Sequence, residues 1–202
     1  MMRQKIILLC MVLLGGWAAQ AQSEMGLLIG GGAGTFNYKF QKDIPTQAIG
    51  QPFDAQYCFD VHVGYRLRLQ QGSRFFWDFD GLVGYENQRE GIFAGYIDGY
   101  VNYKDGDRNH NLYAALSPTF NWQFYQGAYV GAGLEPTGYF YRSDRDNWHF
   151  DMPLQMKLGY RFPQMSVEAA CKIGLLKNAQ EPLLESNRRT TFQLSIYIPL
   201  FK

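Results

Sequence analysis

The feature that most restricts this chain is strict alternation of large apolar residues with polar or small ones, sustained over unusually long stretches. Tyr57, Phe59, Val61, Val63, Tyr65, Leu67 and Leu69 are separated by Cys58, Asp60, His62, Gly64, Arg66 and Arg68. A second stretch runs Phe150, Met152, Leu154, Met156, Leu158, Tyr160 and Phe162, with Asp151, Gln155, Lys157 and Arg161 between them. Period two over a dozen residues specifies a β-strand with one apolar and one polar face. Strands in soluble domains run about 5–6 residues. A strand of about 13 residues, rising roughly 3.3 Å per residue and tilted about 40°, covers about 30 Å, the thickness of a bilayer's hydrocarbon.

Residues 1–21 read as an export signal. Arg3 and Lys5 give a basic start, Ile6 to Leu14 an apolar core, and Ala19-Gln20-Ala21 a small-x-small cleavage site. The apolar core is too short to span a bilayer, which needs about 20 residues. The expected organisation is therefore 1–21 signal peptide and 22–202 a single β-barrel domain. With 19 basic and 18 acidic residues the chain is close to neutral, which excludes the strong basic excess of a nucleic-acid partner. Fourteen Tyr, fifteen Phe and twenty-two Gly suit an all-β architecture. Cys58 belongs to the polar set and Cys171 to the apolar one, so a disulfide between them is not expected.

Eight strands are expected, at about 26–38, 55–69, 74–86, 111–124, 127–141, 149–162, 165–177 and 188–201. Tight turns at 70–73, 125–127 and 163–164 alternate with longer connections at 39–54, 87–110, 142–148 and 178–187. That is the pattern of short periplasmic turns and long external loops. Residues 92–103 are assigned to the second external loop, as extensions of strands 3 and 4. The alternative is ten strands, with another in 39–54, which Pro45 and Pro52 disfavour.

On this reading the apolar face meets lipid and the polar face fills the interior. Strand 4 would offer Leu112, Ala114, Leu116, Phe120, Trp122 and Phe124 to lipid, and strand 8 Phe192, Leu194, Ile196, Ile198 and Leu200. Trp77, Trp122, Tyr160 and Phe162 would form one aromatic girdle near the turns. Phe36, Tyr85, Phe140, Trp148 and Phe150 would form another near the loops. The inward set holds Asp60, His62, Arg66, Arg68, Asp78, Asp80, Glu135, Lys157, Arg161, Glu168 and Lys172. Eight strands enclose room only for side chains, so these charges must pair. Gly131, Gly133, Gly159 and Gly174 are expected to make room for the long basic arms.

The layout resembles the small outer-membrane β-barrel proteins: the OmpA membrane domain, OmpX, and the PorT-like "outer membrane protein beta-barrel domain" group. The features that carry the likeness are Gly30-Gly31-Gly32-Ala33-Gly34, the strand ends Gly64-Tyr65-Arg66-Leu67 and Gly159-Tyr160-Arg161-Phe162, and the alternating final strand Thr191 to Phe201. Phe201 falls out of phase with Phe192 to Leu200, and Lys202 follows it. The resemblance implies the outer membrane of a Gram-negative bacterium, outer-membrane lipid as surroundings, the barrel-assembly machinery during insertion, and no catalytic residues.

No catalytic, cofactor-binding or metal residue is assigned. Gly30–Gly34 lacks the following helix of a phosphate loop. Asp105, Asp107 and Asn109 lack the Gly and Glu of a calcium loop, for which His110 and Leu116 stand instead. The expected role is structural or interactive, carried by external loops that would contact an extracellular or envelope protein, with 87–110 foremost. Two alternatives remain. One is a barrel enzyme acting on lipid A or peptides, for which His149 and Asp151 would be the rim pair, with no Ser placed beside them, since Ser143 falls in the 142–148 connection and Ser117 on strand 4. The other is a soluble lipocalin-like lipid binder with the faces reversed.

Overall fold

The computed structural model describes residues 22–40, 58–71, 74–97, 100–141, 149–176 and 184–201. The expected signal at 1–21, Trp148, Ser143 and most of the 39–54, 142–148 and 178–187 connections lie outside them. Ten strand segments are present: β1 (Gln22–Phe40), β2 (Cys58–Gln71), β3 (Phe75–Ile97), β4 (Tyr100–Tyr125), β5 (Ala128–Leu134), β6 (Thr137–Tyr141), β7 (His149–Asp151), β8 (Pro153–Arg161), β9 (Ser166–Gly174) and β10 (Leu184–Phe201).

They make eight staves. β5 and β6 follow one another along β4, interrupted at Glu135-Pro136. β7 and β8 continue that arrangement on the next stave, interrupted at Met152. Pro136 has no N–H for a ladder, but its carbonyl accepts from the Leu116 N–H at 3.1 Å, and the Glu135 N–H donates to the Pro153 carbonyl at 2.9 Å. The interruptions therefore cost little pairing. Every neighbour is antiparallel, and β1 pairing with β10 closes the ring. The protein is an all-β, eight-stranded, antiparallel closed β-barrel.

Residues 92–97 and 100–103 extend β3 and β4, as expected for the second external connection: the two strands stay paired through Phe93↔Tyr103, Tyr96↔Val101 and Ile97↔Tyr100. Two differences from the sequence reading have local causes. Phe201 recovers its place on the outer face because the β1–β10 register shifts at that end, between Met25↔Phe201 and Gly26↔Pro199. The extra residue of a bulge leaves both Leu200 and Phe201 exposed. Gly131, Gly133 and Gly159 make room for Asn121, Thr119 and the Tyr129 ring rather than for basic arms, while Gly174 lies beside Asp151 and the Arg189 backbone.

The two faces fall where the alternation puts them. Phe59, Val61, Val63 and Tyr65 are exposed while Asp60, His62, Arg66 and Arg68 are buried. On β8, Leu154, Met156, Leu158 and Tyr160 point outward, and Gln155 and Lys157 inward. Leu194 and Leu116 are 66% and 65% exposed. The outside is a continuous apolar belt, far larger than the few hundred Å² that soluble monomers leave open. Near the turns it carries an aromatic cluster, with Trp77 5.0 Å from Phe120, Phe75 5.7 Å from Phe120, and Tyr160 4.7 Å from Phe162. At the other end Tyr85 stacks on His110 at 5.9 Å. Cys58 faces inward and Cys171 outward, and both are free thiols.

Candidate functional site

The interior is where this barrel concentrates its chemistry. Near the turns, β2 and β3 place Arg66 opposite Asp80 and Arg68 opposite Asp78. Arg66 donates from Nε to Asp80 Oδ1 at 2.6 Å and from Nη2 to Asp80 Oδ2 at 2.8 Å. From across the lumen, Glu168 of β9 accepts from Arg66 Nη2 at 2.9 Å and also from Nη1. Arg68 Nε donates to Asp78 Oδ1 at 2.7 Å. Lys157 of β8 donates to Asp78 Oδ2 at 2.8 Å and stands 3.7 Å from Glu168. Three cations thus meet three carboxylates, and every one of the six is buried. Charge balance and bidentate geometry let such a cluster persist out of water.

Aromatic rings enclose this ion core. The Arg68 guanidinium carbon lies 4.5 Å from the Phe76 ring centroid and 5.0 Å from that of Tyr197; Arg66 is also 5.0 Å from Tyr197. The Tyr129 hydroxyl donates to Glu168. Contacts of cations with aromatic faces gain strength where water is excluded. Below the core, Arg161 donates to Glu24 at 2.5 Å across the mouth. Arg161 is partly exposed there, so it caps the lumen rather than joining the buried interior.

A band of Leu28, Leu82, Tyr113, Ala115, Tyr139 and Tyr197 packs at and above the ion core. Beyond it the polar groups resume. Asp60 accepts from the Tyr113 hydroxyl and from Gln193 Nε2 at 2.9 Å, and lies 3.4 Å from His62 Nδ1. His62 Nε2 is 3.0 Å from Ser195 Oγ. A side chain on Gly30 would collide with both His62 Nε2 and Ser195 Oγ, so the glycine tract of β1 is what admits this hydrogen bond. Lys172 donates to Glu135 at 2.6 Å, and Arg189 pairs with Glu86 and donates to the Tyr139 hydroxyl. Glu135, Tyr139, Lys172, Arg189 and Gln193 line a cavity of about 10 Å³, enough for one water.

Of the other residues named from sequence, several fall within the described segments. Asp151 is buried and accepts from the Met152 N–H at 2.8 Å. His149 is described only by its place on β7 opposite Tyr139. Ser117 sits within the lumen, donating to Gln155 at 2.5 Å. Asp105 and Asp107 lie in the strand β4 rather than a turn. Among the described residues no group of three or more His, Cys, Asp or Glu side chains could hold a metal. The soluble alternative required an apolar lumen, whereas the lumen here is charged and filled. Sequence reasoning missed the inward place of Ser117, Ser195, Gln193 and the inward tyrosines. Their alternation with the outward Leu116, Leu194 and Ile196 on the same strands was the available signal for the first three.

No protein-family model matches the chain, and no curated protein sequence matches it. Among solved structures, similarity is found to Neisserial surface protein A (10% identity, TM-score 0.46, covering 88% of this chain and 98% of that one). It is also found to Ail, the attachment invasion locus protein of Yersinia pestis (13%, 0.39, 89% and 99%), and to the outer membrane protein OprG of Pseudomonas aeruginosa (11%, 0.42, 87% and 93%). The closed strand ladder and its two faces, rather than these likenesses, define the architecture: a small eight-stranded β-barrel of outer-membrane type, apolar outside, with a hydrogen-bonded polar network within.

Proposed function

We propose that this chain is an integral outer-membrane protein of a Gram-negative bacterium, exported by residues 1–21 and folded by the barrel-assembly machinery. Its work is done by what projects beyond the external rim rather than by passage through the lumen. One observation carries this reading: the polar face is turned inward and consumed by its own ion pairs, while the apolar face is turned outward on every stave. Lipid satisfies the second arrangement and water does not. The three tight turns lie at one end and the projecting β3–β4 ribbon at the other, which supports a periplasmic and an external end respectively. Contact with an extracellular or envelope protein through the 87–110 ribbon is the structural or adhesive role that follows.

Insertion into planar bilayers tests the filled lumen. The protein is expected to show the heat-dependent gel shift of a folded barrel, yet no discrete conductance steps. Regular steps after confirmed insertion would overturn the non-conducting reading, and loss of the shift would overturn the barrel's membrane address.

A further inference from the structure

Two glycines on the outer face have no reason within the chain. Among the described residues, a Cβ on any inward strand glycine would come within 3.0 Å of another atom: 2.0 Å from the Pro118 carbonyl oxygen for Gly133, and 2.3 Å from the Tyr113 ring for Gly84. The packed lumen requires those glycines. On Gly81 and Gly138 a Cβ would meet nothing within 4 Å, and neither has a positive φ. Both lie on the outward parity of strands, where glycine weakens the sheet. A strand glycine that no internal neighbour demands marks close approach by something else.

The register sets both in one depression. Gly81 lies opposite Tyr65 of β2 and Leu116 of β4, and Gly138 opposite Ala114 of β4 and Phe150 of β7. Gly81, Ala114 and Pro136 floor an outer groove of about 750 Å³, with Tyr65, Leu116 and Phe150 among its walls. No charged side chain lines it, and the Pro136 carbonyl already accepts from the Leu116 N–H. Its occupant is therefore apolar. Leu116 and Gly81 pair near mid-barrel, while Phe150 stands on β7 beside the 142–148 connection. The groove thus rises from mid-depth towards the loop end.

From this depression we infer that the groove seats one acyl chain of an outer-leaflet lipid. The inference rests on the membrane orientation proposed above. The groove is continuous with the belt that faces hydrocarbon, so a lipid chain enters it without leaving its own medium. Chain and protein are equally apolar there, and close packing decides what stays. An unfilled dent forfeits dispersion contacts along its lining. Leu116 and Val83, 65% and 57% exposed, stand up within the same lining. These ridges hold a second barrel off the floor, whereas a flexible chain follows the floor between them.

The test uses the full mature barrel in phosphatidylcholine nanodiscs, with a probe phosphatidylcholine that carries a photoreactive diazirine midway along its palmitoyl chain. After illumination, peptide mapping is expected to find label concentrated on the groove lining. Gly81→Val/Ala114→Leu, which fills the floor, is expected to lose that enrichment. Ala132→Leu, on the outer face of β5 and outside the groove, is expected to keep it. The heat-dependent gel shift confirms that each variant is folded. Label spread evenly round the belt overturns the seat and leaves the membrane reading standing. A belt that takes no label overturns the membrane reading itself. A groove shielded from label in discs that hold two barrels overturns the lipid in favour of a second copy.

Discussion

Arg66→Leu is expected to destabilise the barrel by about 3–5 kcal/mol, the usual result of removing one partner from a buried ion cluster. The guanidinium holds Asp80 through two hydrogen bonds and Glu168 through two more, and all three side chains are buried. Without it Glu168 retains Lys157 at 3.7 Å and the Tyr129 hydroxyl, but no hydrogen bond from another side chain to Asp80 is among those described. Adding Asp80→Leu should therefore recover part of the loss, since an apolar pair strands no charge. Reversible urea unfolding in phospholipid vesicles, followed by tryptophan fluorescence, measures both variants. A single variant within 1 kcal/mol of the parent would mean that water reaches the core and screens it.

The second large effect lies on the opposite face. Leu116 and Tyr125 are both on β4 and both 65% exposed. Leu116 pairs with Gly81 near mid-barrel, whereas Tyr125 is at the turn. Leu116→Arg is expected to cost about 2–4 kcal/mol and Tyr125→Arg about 0–1 kcal/mol, because a cation's cost in hydrocarbon rises towards the midplane. Water around the belt would make the two equivalent and small, as surface substitutions are. The same unfolding assay decides between these outcomes. Together the two experiments pit a tolerated buried arginine against a costly exposed one, the inverse of a soluble protein.

Much of this was legible in the chain because a strand's period is two. Once Phe59, Val61 and Val63 are taken as one face, Asp60, His62 and Arg66 must share the other, and the same holds from β8 to β10. The lining of the lumen follows from that parity alone. Its pairings do not. Arg66 meets Glu168 across the lumen, about a hundred residues away in sequence, and only the closing of the ring and its register bring them together. Parity is likewise silent on length. The segment 92–103 has the pattern of any strand, and only the register, through Phe93↔Tyr103 and Ile97↔Tyr100, shows how far β3 and β4 stay paired. Gly30 shows the same limit from the other side. A glycine tract signals close approach, but that the approaching groups are His62 and Ser195 depends on β2 and β10 flanking β1.

The outward thiol Cys171 provides a native probe of what surrounds the barrel, since Cys58 is buried inside. A nitroxide on Cys171, in a Cys58→Ser background reconstituted in phospholipid vesicles, reports its medium by electron paramagnetic resonance. Collisions with dissolved oxygen are expected to be frequent and those with a water-soluble nickel chelate rare, as in hydrocarbon. Frequent nickel collisions with scarce oxygen contact would put water against this face and contradict the membrane barrel.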